Sequence, residues 1–142
     1  MLTEEKKNEI WDTSIYISNA RSGTGWMPPD EETFFLSSVV AAELATGYAA
    51  NKHKLFLFER YVGILKKKNK LVTPTDYEWF LSGIIIGEII NSRPDLKNKK
   101  ALLFNDCLIA TSSKLINAKV VTANKTDFDL IRKWLNFEVE YI

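Results

Sequence analysis

Five short β-rich runs punctuate this chain of 142 residues, and each of the first four leads into a segment with helical character. Alternation of this kind constrains the fold strongly. A strand that returns in the same direction needs a crossover, and helical crossovers build a mostly parallel sheet with helices on both faces. Residues 9–17 read as a strand running into a helix. Thr33-Phe34-Phe35-Leu36-Ser37 is a second strand, with Ser37 or Ser38 placed to cap the helix that follows. Residues 52–69 carry apolar side chains at Leu55, Phe58, Val62 and Leu65, a helical spacing. Leu71-Val72-Thr73 is a third strand. Pro74-Thr75 then opens a helix over 76–91, with Thr75 or Asp76 near its cap. A helix over 98–116, a strand over 118–122, a short helix over 125–133 and an alternating strand over 137–142 complete the pattern. Between the first two strands, Gly23, Gly25, Pro28 and Pro29 mark a loop. With no internal repeat and no low-complexity linker, residues 1–142 are expected to form a single α/β domain, long enough for a substantial core.

In open parallel sheets the ligand crevice lies at the carboxyl ends of the strands, and four acids fall where they reach that rim. Asp12 ends the run Ile10-Trp11 and precedes Thr13-Ser14. Asp127 closely follows the strand that ends at Thr122. Glu43 interrupts the small apolar segment Ser38 to Ala45. Asp106 lies in Leu102 to Ala110, where its helical neighbours at three and four residues are Leu102, Leu103, Ile109 and Ala110, all apolar. A lone carboxylate on a buried helix face costs several kcal/mol unless a cation or several donors meet it. No Lys or Arg stands one turn from Asp106 or Glu43. A shared divalent metal ion accounts for both.

Other chemistries find little support. Cys107 is the only cysteine and His53 the only histidine. That excludes an internal disulfide framework and multi-cysteine metal sites, and it leaves triad chemistry one histidine, in a lysine-rich segment. Cys107 reads as a small buried hydrophobe and His53 as a surface residue. The charged N-terminus lacks the apolar core of a signal peptide, and no apolar run reaches membrane-spanning length. A soluble, cytoplasmic protein with no membrane partner is expected. The net charge of +1 makes no global case for nucleic acid, but residues 52–70 hold seven Lys or Arg against one acid. Lys66, Lys67, Lys68 and Lys70 in that stretch are candidates for contact with RNA or with an acidic partner protein. Asp76 and Glu78 suit the first turn of a helix, and Glu88 and Asp129 point away from the acidic rim. The four tryptophans read mainly as core or dimer residues, with Trp26, in the Gly/Pro loop, able to stack on a base.

Four motifs in order then carry a resemblance. They are Asp12-Thr13-Ser14; Ser37 to Gly47 around Glu43; Asn105-Asp106-Cys107-Leu108-Ile109-Ala110; and Val121-Thr122-Ala123-Asn124-Lys125-Thr126-Asp127-Phe128. Together they resemble the PIN-domain ribonucleases, specifically the VapC-like toxins of bacterial and archaeal toxin–antitoxin pairs, over nearly the whole chain. The resemblance implies a PIN-like three-layer α/β/α sandwich with a mostly parallel five-stranded sheet and one acidic pocket. It implies one or two Mg²⁺ or Mn²⁺ ions there, and hydrolysis of single-stranded RNA. Asp12, Glu43 and Asp106 match the family's three acids. At the fourth position the family places its polar group where either Asn124 or Asp127 stands; Asp127 is favoured here, with Asn124 as its hydrogen-bonding neighbour. Thr13, Ser14 and Thr122 can orient a water or a carboxylate, or simply cap the backbone. A cognate antitoxin and a homodimer are the partners the resemblance implies. A housekeeping RNA-processing PIN nuclease and a catalytically inactive PIN-like RNA-binding module are the alternatives. A phosphorelay receiver domain fits less well, because the acidic pair near the first strand and the lysine after the last are not evident.

Overall fold

The structure, a computed structural model, describes residues 6–23 and 32–142. Most of the Gly/Pro loop, including Trp26, lies outside the described residues. Five strands are present: β1 (Asn8–Trp11), β2 (Phe34–Ser37), β3 (Leu71–Val72), β4 (Ala118–Thr122) and β5 (Val139–Tyr141). The helices are α1 (Thr13–Arg21), α2 (Ser38–Tyr48), α3 (Lys52–Lys67), α4 (Asp76–Ser92), α5 (Lys100–Ser113) and α6 (Lys125–Arg132). All strand pairings are parallel and the order is β3-β2-β1-β4-β5. The alternation read from the sequence thus yields the parallel α/β sheet it requires. Every strand points its carboxyl end the same way, and the order reverses beside β1, which makes that edge the natural crevice.

Local chemistry explains why the chain turns where it does. Three of the strand-to-helix transitions are capped by short polar side chains. Asp12 caps α1, Ser37 accepts from the backbone N–H groups of Val39 (3.1 Å) and Val40 (3.4 Å) to cap α2, and Asn124 caps α6. Each cap satisfies helix-end donors that would otherwise lose a partner. At α4, Glu78 reaches back to accept from the Thr75 backbone N–H at 2.9 Å and from the Thr75 hydroxyl, closing a capping box. These hydrogen bonds hold its carboxyl below the usual range despite the opposing effect of burial. Asn69 and Asn117 take left-handed backbone conformations, with φ of 57° and 49°, just before β3 and β4. Asparagine tolerates that region better than most residues.

The core explains how α5 can carry an acid. Leu103, Cys107, Ile109 and Ala110 are fully buried, packed with Ile10 of β1, Val120 of β4, Phe128 of α6 and Ile86 of α4. α5 is therefore a central helix, contacting β1, β4, α2, α4 and α6. Its last residues, Thr111, Ser112 and Ser113, are buried hydroxyls that bond back to carbonyls within the helix, so none needs water. Cys107 is the buried hydrophobe expected, its thiol pushed up to about 11 by burial. His53 is exposed on α3, and Glu88 is exposed on α4.

Candidate active site

The carboxyl-end rim brings the acids into one neighbourhood. Asp12 is nearly buried. One of its oxygens accepts from the Ser14 backbone N–H at 3.1 Å and from the Ser14 hydroxyl; the other accepts from Thr122 Oγ1 at 2.8 Å. Thr122 in turn accepts from the Asn124 backbone N–H at 2.9 Å, and Ser14 Oγ accepts from the Ala123 N–H at 3.0 Å. The ends of β1 and β4 are therefore stitched through the Asp12 carboxylate. Thr13 Oγ1 donates to Glu43 at 2.9 Å, linking α1 to α2. Both readings of these hydroxyls have contacts here: Thr13, Ser14 and Thr122 donate to carboxylates, and Ser14 and Thr122 also accept from backbone N–H groups.

Asp106 stands apart chemically. Burial, followed by the charges of Asp12, Asp127 and Glu43, pushes its carboxyl up to about 8, with Lys99 acting in the opposite direction. Glu43 is raised as well, by burial and by Asp12, against hydrogen bonds from Thr13 and Asn105. Asp12 is raised by burial against its Ser14 and Thr122 donors. Acids that each make their neighbours harder to ionise share one electrostatic pocket. They are not drawn into a cage, however. Among the described residues no three His, Cys, Asp or Glu side chains stand ready-placed around one ion. Asp12 is tied to the β4 end, and Asp127 is tied to Lys99.

At the fourth position Asn124 and Asp127 are hydrogen-bonded to each other. Asn124 Nδ2 donates to Asp127 Oδ2 at 3.0 Å, and the Asp127 backbone N–H donates to Asn124 Oδ1 at 3.3 Å. Asn124 is thus the cap and neighbour of the buried Asp127. The other Asp127 oxygen accepts from Lys99 Nζ at 2.8 Å. Lys99 was not legible as a site residue. It ends a 3-10 segment, Pro94–Lys99, and is separated from Asp127 by 28 positions. Asn105 was read only as part of a motif, yet it is a partner of Glu43. Asp129 turns away, as its helical position implies, and accepts from the Tyr141 hydroxyl.

The lysine-rich stretch lies elsewhere. Lys66 and Lys67 end α3, and Lys68 and Lys70 lead into the amino end of β3. In an all-parallel sheet this is the edge opposite the acids. The Lys70 ammonium sits 4.3 Å from the Phe35 ring centre and donates to the Glu32 carbonyl. The cation that meets the acids is instead Lys99, in the 3-10 segment ahead of α5, while Lys97 and Lys100 on either side of it line a neighbouring cavity.

A divalent ion fits the donor set. The oxygens are hard, three of the acids are held above their ordinary proton affinities, and an ion of +2 charge would relieve the repulsion that raises them.

No protein-family model matches the chain, and no curated protein sequence does either. Solved structures do. A chain of the crystal structure of VapBC2 from Rickettsia felis, bound to a DNA fragment from its promoter, matches with a TM-score of 0.54 and 22% identity, covering 94% of this chain and 98% of the other. A chain of VapBC-1 from nontypeable Haemophilus influenzae matches with a TM-score of 0.54 at 20% identity, covering 94% and 96%. A chain of DNA-bound VapBC from Salmonella typhimurium matches with a TM-score of 0.55 at 18% identity, covering 96% and 98%. The resemblance carried by four acidic motifs is thus met by the fold over nearly the whole length. The chain has the PIN-like fold, an all-parallel five-stranded α/β arrangement that it shares with chains of three VapBC complexes.

Proposed function

We propose that this chain is an endoribonuclease dependent on Mg²⁺ or Mn²⁺, cleaving single-stranded RNA as the toxin of a toxin–antitoxin pair. One feature carries the reading: Asp106, on the central helix α5, lies within electrostatic reach of Asp12, Asp127 and Glu43, and burial together with those charges pushes its carboxyl up. Selection for stability alone would not assemble such a group. Asp12, Glu43 and Asp106 would hold the ion, with Asp127 as the fourth carboxylate and Asn124 positioning it. When bound, the ion supplies a more acidic water and neutralises charge developing on the phosphodiester. Thr13 keeps Glu43 turned toward the pocket, while Ser14 and Thr122 hold Asp12 in one rotamer. No histidine or thiol nucleophile is needed. The toxin role, with an antitoxin partner and a cytoplasmic place of action, is supported by the VapBC setting of the matching chains. Among the described residues no helix is long and apolar enough to cross a membrane.

The purified chain, freed of antitoxin, is expected to cleave single-stranded RNA with Mg²⁺ or Mn²⁺ and to stop with EDTA. Asp12→Asn should lower the rate by about 100-fold or more, since several kcal/mol of charge stabilisation go with the ion. EDTA-resistant cleavage would remove the metal from the reading. The Lys99–Asp127 ion pair favours one alternative, a catalytically inactive RNA-binding module. Binding of RNA without cleavage, under any divalent ion, would decide for it.

The same reading includes a homodimer. Phe56, Leu57 and Ile64 on α3 and Phe80 and Ile84 on α4 are between 44% and 72% exposed, more apolar surface than two helices of a monomer ordinarily leave to water. Light scattering at micromolar concentration is expected to report about twice the 16.3 kDa chain mass. A constant monomer mass on concentration would reject the dimer.

A further inference from the structure

Two cavities adjoin on one side of the acidic pocket. One, of about 360 Å³, includes Glu43, Thr46, Trp79 and Asn105 in its lining. The other, of about 600 Å³, is lined by Trp79, Phe104 and Asn105 together with Lys97 and Lys100. Trp79 and Asn105 belong to both, so a continuous groove runs from Glu43 past Trp79 to the two lysines. No acid lines the second cavity.

The aromatic wall of this groove is well supported and poorly covered. Trp79 is 52% exposed, and its ring centre lies 5.7 Å from that of Phe104, with the planes tilted by 39°. It sits one turn into α4, where the Thr75–Glu78 capping box fixes the helix start and the Trp79 backbone N–H bonds to the Thr75 carbonyl at 3.1 Å. Such a large indole, half exposed and braced by Phe104, leaves aromatic surface open to solvent. Asn105 supplies an amide beside it, already engaged with Glu43.

We propose that this groove is a nucleotide subsite: one base of a single-stranded RNA stacks against the Trp79–Phe104 wall, and an adjacent phosphate is taken by Lys97 and Lys100. The inference rests on the nuclease reading and extends it, because a strand seated this way leads its next phosphodiester past Asn105 to Glu43 and the acids beyond. Sequence-tolerant stacking with point cations on the backbone is the chemistry single strands select. An acid-free, lysine-flanked cavity complements a phosphate chain. The same groove assigns the positive track to the α5 end of the molecule, not to Lys66–Lys70.

Binding is tested in EDTA, by fluorescence anisotropy of a short labelled single-stranded RNA, in the full chain carrying Asp106→Asn. Adding Trp79→Ala is expected to weaken binding by about 5- to 150-fold, and Trp79→Phe to restore most of it. The Lys97→Ala/Lys100→Ala pair is expected to flatten the salt dependence by about 1.4 in log–log slope, the value for two single-strand phosphate contacts. Circular dichroism on each variant separates these effects from misfolding. If the wild-type chain cleaves RNA while Trp79→Ala binds within twofold of its parent, the subsite is overturned and the nuclease reading stands. If the wild-type chain neither binds nor cleaves RNA, both fall. If Trp79→Ala keeps RNA binding but loses association with the cognate antitoxin, the groove belongs to the protein partner and the proposal is overturned.

Discussion

Replacing Asp106 by Asn is expected to make the metal-free protein more stable at alkaline pH while abolishing its ion binding. The Asp106 carboxyl is pushed up to about 8 in the folded chain, whereas in the unfolded chain it returns to about 3.8. Between those values the folded state keeps a proton that the unfolded state has released. Stability therefore falls as pH rises from about 4 towards 8, and above 8 the full penalty of an ionised, crowded acid is carried. Water reaches part of the Asp106 side chain, so the penalty is about 2–4 kcal/mol and not the full figure for a sealed interior. The amide has nearly the same shape and no charge. In EDTA at pH 9, Asp106→Asn should melt about 5–15 °C above wild type, with the difference shrinking towards pH 5. Addition of Mn²⁺ should raise the wild-type melting temperature and leave that of the variant unmoved. Equal melting curves for the two proteins at every pH would show that Asp106 carries no such strain.

Lys99→Met should act in opposite directions on the two forms of the protein. The Lys99 ammonium donates to Asp127 at 2.8 Å and lowers the cost of ionising Asp106. In the proposed metal site it holds one of the two Asp127 oxygens. Without metal, its loss leaves buried Asp127 facing other acids with only the Asn124 Nδ2 donor, at a cost of about 1–2 kcal/mol given that the lysine is partly exposed. With metal, the freed oxygen and the removal of a like charge should tighten Mn²⁺ binding by about tenfold or add a second ion, in line with a charge interaction of 1–2 kcal/mol. Calorimetric titration with Mn²⁺ and melting in EDTA measure the two effects. Unchanged affinity and stoichiometry would mean that the ammonium sits outside the ion's reach.

What could be read from the sequence follows physical range. Strand–helix alternation, the Ser37 and Thr75 caps and the setting of Asp106 beside Leu103, Ile109 and Ala110 depend on residues within a turn or two of each other and appear as read, whereas Leu102, the fourth apolar neighbour expected there, is exposed. Asp12 and Asp127 were legible because a strand end precedes each. The Lys99–Asp127 pair was not. It joins a 3-10 segment to α6, and no local periodicity announces where a lysine ahead of a helix will point. The same limit applies to Lys66–Lys70, which lie at the amino end of β3. Charge density is visible in a sequence, but which edge of the sheet receives it depends on strand order. Trp79 read as core or interface because helical spacing does not reveal which aromatic on α4 remains uncovered.

The pairing of β1 with β4 has a temporal consequence. Asn8 aligns with Ala118, and Thr122 reaches Asp12 across 110 positions. At about 5–20 residues per second of synthesis, the partner of β1 emerges several seconds after β1 itself. A nascent chain that has already displayed Asp12 and Glu43 still lacks Thr122, Asn124 and Asp127, and α6 with β5 must follow. Contacts of such long sequence separation also form late in refolding. The acidic pocket is therefore among the last parts of the molecule to be completed. Under the nuclease reading, a nascent chain would stay inert until β4 and α6 have been made.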